Sequence, residues 1–98
     1  MTRDEIIAKL RATAPALKAG GVTSLAIFGS RSRGDAREDS DLDVLIDVDP
    51  NIEFSLLDLA GVQHIVQDAT GLETQATLRN DLDQRIAERI ADDIVKVF

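Results

Sequence analysis

The sequence contains no cysteine, no tryptophan and no tyrosine, and only three phenylalanines. Without cysteine, disulfides and thiolate metal sites are excluded, while the redox compartment is left open. Without Trp or Tyr the usual platforms for stacking bases are missing. Positive charge is also scarce: 11 Lys and Arg stand against 18 Asp and Glu, a net charge of −7. A general nucleic-acid binder needs a basic surface to displace counterions, so that role is disfavoured. An acidic chain instead suits a basic partner or a divalent cation. No apolar run approaches the ~20 residues needed to span a bilayer. The opening stretch MTRDEIIAKL is charged at once and has no apolar h-region, which argues against a secretory signal and for a cytoplasmic location.

What is present is the composition of an ordinary folded protein, with 44% hydrophobic and 30% charged residues in 98. That length supports one core, so a single domain over residues 1–98 is expected. Thr2 and Glu5 match a capping box, and Ile6, Ile7, Leu10 and Ala14 continue at helical spacing. Pro15 breaks that pattern near Thr13, leaving a short helical turn to Lys18 before Gly20 and Gly21. VTSLAIF (22–28) reads as a buried strand bounded by glycines.

DLDVLIDV (41–48) reads as a second strand, with Leu42, Val44, Ile46 and Val48 on one face and Asp41, Asp43, Leu45 and Asp47 on the other. After a turn at residues 49–51, a helix is expected from about Phe54 to Ala69, carrying Leu56, Leu57, Leu59, Ala60, Ile65 and Val66. LETQATL (72–78) is a weaker third strand. A last helix, capped by Asn80, would carry Leu82, Ile86, Ile90, Ile94 and Val97 on one stripe. The expected architecture is α+β in two layers: a small mixed sheet of three or more strands with helices packed on it.

Chemistry concentrates in GSRSRGDAREDSDLD (29–43). Two aspartates at i and i+2 on a strand project from the same face a few Å apart, and each raises the other's pKa unless a cation neutralises them. Such oxygen ligands suit Mg²⁺, which takes one or two carboxylates plus substrate phosphates. Upstream, Gly29 and Ser30 end a strand and begin a short helix, where backbone N–H groups cradle anions and a missing side chain lets phosphate approach. Together these are the minimum equipment for phosphoryl or nucleotidyl transfer.

Gly29-Ser30, ten intervening residues and Asp41-Leu42-Asp43 resemble the G-S-x10-D-x-D signature of the DNA polymerase β-like nucleotidyltransferases, and FGSRSRGDAREDSDLDVLID is similar to their minimal nucleotidyltransferase (MNT) subfamily. The resemblance implies the polymerase β-like fold, Mg²⁺ on Asp41 and Asp43, and ATP phosphates on Gly29 and Ser30 with help from Arg31 and Arg33. It implies an antitoxin whose partner is an all-helical HEPN ribonuclease toxin, silenced by binding, by transfer of AMP to one of its tyrosines, or by both. Such sites generally use a third carboxylate from a neighbouring strand. Here that position falls on or near Gln75, which can neither accept a proton nor ligate as an anion. Either Glu73, two residues earlier, takes its place as a catalytic carboxylate, or the site has only two. A transferase acting on a small molecule such as an aminoglycoside is a further reading, but the chain lacks the extra helical domain those enzymes use.

Among the remaining charged residues, Arg37 reads as a solvated partner of nearby acids. Asp47 marks the exit of its strand, and His64 is a solvated helix residue with nothing to orient it.

Overall fold

The structure, a computed structural model, describes residues 1–98. The helix α1 (Arg3–Arg11) starts at the expected capping box, with Thr2 Oγ1 accepting from the Glu5 N–H and the Glu5 carboxylate accepting from the Thr2 N–H. Pro15 falls in the first turn of a separate short helix, α2 (Ala14–Ala19), where its missing N–H costs nothing. The strand β1 (Val22–Phe28) leads through Gly29 into one helical turn, α3 (Ser30–Arg33), and β2 (Leu42–Val48) returns antiparallel to β1. The helix α4 (Leu56–Thr70) opens on a second capping box, Ser55 with Asp58, and closes at Gly71 in the left-handed region. It carries the chain over to β3 (Thr74–Leu78), which pairs parallel to β2. The sheet order is β3-β2-β1-β4.

The sheet has two unlike faces. Leu25 and Ile27 of β1, Leu42, Val44 and Ile46 of β2, and Ala76 of β3 join Ile6, Leu10, Leu17, Val62 and Val66 from the helices in one buried cluster. The opposite face carries Asp43, Leu45 and Asp47, with Ala26 paired across from Leu45, and both of these apolar residues are buried. The edge strand β3 would leave outward N–H groups unpaired. Gln63 and Gln67, one turn apart on α4, accept from the Ala76 and Thr74 N–H groups at 2.9 and 3.1 Å.

The C-terminal segment departs from the expected continuous helix capped by Asn80. Residues Arg79–Asp81 form a 3-10 turn, Asp83 caps the short α5 (Gln84–Ile90), and a second 3-10 turn, Ala91–Asp93, follows. Val95 and Lys96 then form β4 against the free edge of β1, extended by mutual bonds between Leu25 and the last two residues. The exposed row of peptide groups on β1 claims this segment, and the Ile94-Val95-Lys96-Val97 run is β-branched enough to answer it. Of the expected stripe only Ile90 and Val97 are buried.

Leu56 and Leu57 also depart from expectation. They lie on the expected helix, but 86% and 82% of their surfaces face solvent.

Leu25 is fully buried. Its replacement by Ala should cost about 2–5 kcal/mol of unfolding free energy in a denaturant titration. Leu57→Ala should stay within about 0.5 kcal/mol of wild type in the same measurement.

Candidate active site

The antiparallel register pairs Phe28 with Asp43, so the turn that leaves β1 starts directly beside that carboxylate. Gly29 takes φ +75°, and a Cβ there would lie 2.5 Å from Asp43 Oδ2. Any other residue would be strained by the backbone angle and would also displace the carboxylate. The Gly29 carbonyl accepts from the Ser32 and Arg33 N–H groups at 3.1 and 3.0 Å, closing the helical turn. The first N–H groups of such a turn have no intrahelical acceptor. Gly34, in the left-handed region, ends it.

This turn is tied down from two sides. Arg3 of α1 donates to the Ser32 carbonyl at 3.2 Å, and the Ser32 hydroxyl donates to the Asp93 carbonyl. Arg31 is buried, and its guanidinium donates to the carbonyls of Ser40 (2.9 Å) and Glu38 (3.1 Å). Its donors hold the 38–40 loop against α3. Arg33 is exposed and pairs with Asp35 and Asp93 at 3.1 and 2.9 Å. Of these pairs only the one with Asp35 is exposed on both sides, and such pairs are weak.

Asp43 lies on the face that carries Leu45 and Asp47, while Asp41 falls just before β2, which starts one residue later than expected, and its charge still reaches Asp43. Asp43 is half-buried, and Asp41 is exposed. Partial burial, then the charge of Asp41, push the Asp43 carboxyl above its usual range, against the opposing pull of Arg33. A cation on the pair would remove both costs, and Gly29 leaves open the space a Cβ would fill, so the residues present fit a divalent ion carrying phosphate.

The third carboxylate is not assembled. In the parallel register Gln75 lies directly opposite Asp43 and is exposed. Glu73 precedes β3, with its carbonyl accepting from the Leu42 N–H, and its side chain lines a separate cavity with Gln67, Asp68 and Leu72. No three carboxylate or imidazole side chains converge anywhere in the chain. A two-residue slip of β3 would be needed to bring Glu73 opposite Asp43, and the glutamine bonds from α4 to Thr74 and Ala76 oppose it.

Asp47 accepts from the Ser24 hydroxyl at 2.5 Å and from Arg79 at 3.0 Å. Partial burial works to raise its pKa, but these two partners hold it below the usual range. Arg79 was not singled out from the sequence, because only the β2–β3 register brings it to Asp47. His64 is exposed and meets only Asp68, at 3.3 Å.

Comparison with known proteins bears on this geometry. The family model described as a nucleotidyltransferase domain matches residues 7–97. The chain is 32% identical over 77 residues to the protein adenylyltransferase MntA of Thermococcus cleftensis, covering 79% of this chain and 76% of that one. Its fold superposes on a protein described as a minimal nucleotidyltransferase with TM-score 0.80 and 27% identity, over 97% of this chain and 95% of the other. It shares its fold, at TM-score 0.63 and 9% identity, with a chain of a complex between tri-AMPylated HEPN toxin and MNT antitoxin of Shewanella oneidensis, over 90% of this chain and 68% of the other.

The raised Asp43 carboxyl has a direct consequence for stability. Its ionised form is penalised by folding, so the stability present at low pH is lost as pH rises through its folded-state pKa. In metal-free buffer Asp43→Asn should therefore melt above wild type near neutral pH. The gap should close as the pH falls below the ordinary carboxylate range, followed by thermal denaturation across pH.

Proposed function

Because this chain belongs to the nucleotidyltransferase domain family, we propose that it is an MNT-type antitoxin that transfers AMP from ATP to a cognate HEPN-family ribonuclease toxin. The observation that carries the reading is the packing of Gly29 against Asp43, which joins a turn suited to phosphate to a carboxylate pair suited to Mg²⁺. A relative named a protein adenylyltransferase supports the reaction, and the fold shared with a chain of a HEPN toxin–MNT antitoxin complex supports the kind of partner.

Asp41 and Asp43 would hold Mg²⁺, which would supply charge neutralisation for the triphosphate. Gly29 admits phosphate to the backbone, and the Ser30 hydroxyl and N–H stand at the start of the same turn. Arg33 stands on the same turn and would add a cation on exchanging Asp35 or Asp93 for phosphate. In the transfer, a hydroxyl oxygen of the toxin forms a bond to the α-phosphorus, the bond to the pyrophosphate oxygen breaks with its electrons, and the hydroxyl proton is released. The chain would work in the cytoplasm as one nucleotidyltransferase domain.

A second reading keeps the fold and the partner but has the antitoxin act by contact alone. Gln75 opposite Asp43 favours it, since an amide cannot take the proton released in transfer.

Intact-mass measurement after incubation with Mg-ATP and a candidate HEPN-type partner, taken as the product of the adjacent gene, separates the two. Transfer predicts a partner heavier by whole AMP units, with Asp41→Asn and Asp43→Asn reducing the yield at least about 100-fold. An unmodified partner that still forms a complex would leave only the contact reading. Gln75→Asp should raise the rate if the missing base limits the reaction.

A further inference from the structure

The helix face of the molecule carries an apolar surface that the nucleotide site does not use. Ala16, Leu17 and Gly20 of α2 face Leu57, Gly61 and Ile65 of α4 across a groove of about 200 Å³. Leu57, Gly61 and Ile65 are spaced i, i+4 and i+8, so they form one lane along α4. Nothing lies within 4 Å of where a Gly61 Cβ would stand, so the floor of the groove is open at mid-helix. Leu57 forms its rim, Leu56 stands beside it, and Ile52 lies over Gly21 with 41% of its surface exposed. The Ser55–Asp58 capping box fixes the first turn, so these leucines are held out in solvent on a rigid support.

Charge identifies what would cover them. The stretch from residue 49 to 61, which supplies the α4 side of the groove, carries Asp49, Glu53 and Asp58 and no lysine or arginine. Glu53 and Asp58, both exposed, flank the leucines, and Asp58 is held ionised by the Ser55 hydrogen bonds that lower its pKa. The lysine of α2, Lys18, is occupied over the Phe98 ring, 5.4 Å from its centroid. An apolar lane with an acidic border fits a helix that presents aliphatic side chains between basic ones.

We infer that the α2–α4 groove is the docking surface for a basic, amphipathic helix of the partner protein, which under the reading above is the HEPN-type toxin. The groove lies among the helices, on the side of the sheet opposite the face that carries Asp43. Docking and nucleotide binding are therefore separable in this chain, and contact at the groove leaves the Gly29 turn open.

The test co-expresses this chain with a candidate HEPN-type partner, taken as the product of the adjacent gene, with Leu57→Asp and Gly61→Gln as variants. Leu57 is exposed and Gly61 is unobstructed, so neither change should lower the melting temperature, and Gly61→Gln should raise it. Each variant should weaken the complex at least about tenfold by titration, with wild-type affinity falling as salt rises. Both should keep the thermal shift that wild type shows with Mg-ATP. A partner that binds wild type and both variants equally would overturn the inference. So would a wild-type homodimer that the variants abolish, since the occupant would then be a second copy. A partner that does not bind wild type at all would instead count against the proposed function.

Discussion

The site is built on the approach of Gly29 to Asp43. A glycine in the left-handed region ends β1, and the missing Cβ is what allows a carboxylate on the neighbouring strand to stand where it does. The pairing of Phe28 with Asp43 sets that approach, and the same register places Asp43 on the face away from the main core, with Asp41 just before the strand. Everything that fixes the register therefore serves the site. Leu25, Ile27, Val44 and Ile46 lock the two strands under the helices, and a one-residue slip would exchange the buried and acidic faces.

The surrounding contacts keep the turn rigid without entering the chemistry. Arg3, Ser32, Arg31 and Asp93 bond α3 to α1, to its own loop and to the C-terminal segment. Of the two arginines in the turn, the buried Arg31 bonds backbone carbonyls of its own loop and the exposed Arg33 bonds two carboxylates. Partly burying Asp43 beside Asp41 costs stability in the absence of a cation, the usual pattern for a charge-binding site. Asp47, on the same face, shows the contrast: with Ser24 and Arg79 as partners it is a satisfied carboxylate with no call for a metal.

Much of this was legible in the sequence because the signals are local. The Thr2–Glu5 capping box, the glycines around β1 and the alternation of β2 each follow from a few adjacent residues. The C-terminal region departs from its helical periodicity because its decisive interaction is remote: Val95 and Lys96 pair with an edge of β1 some seventy residues away, and periodicity cannot register that edge. Leu56 and Leu57 fit an amphipathic helix on composition, yet they lie in its first turn, beyond the layer that α4 packs on. The glutamines of α4 and Arg79 likewise gain their roles only from the register of β3. Arg31 and Arg33 are near neighbours of the same type, and only burial distinguishes them.

The β2–β3 pairing raises a question specific to this chain. Placing an amide opposite Asp43 holds the local charge at two carboxylates, enough to hold a cation together with phosphates but without a third group to take a proton. The central claim is that the Gly29 turn and the Asp41–Asp43 pair form one metal-dependent nucleotide site. It is tested most directly by calorimetric titration with a non-hydrolysable ATP analogue, with and without Mg²⁺. Saturable binding that vanishes on chelation and in Asp43→Asn is the predicted result. Binding that is indifferent to Mg²⁺ and to Asp43, or no binding at all, would contradict it.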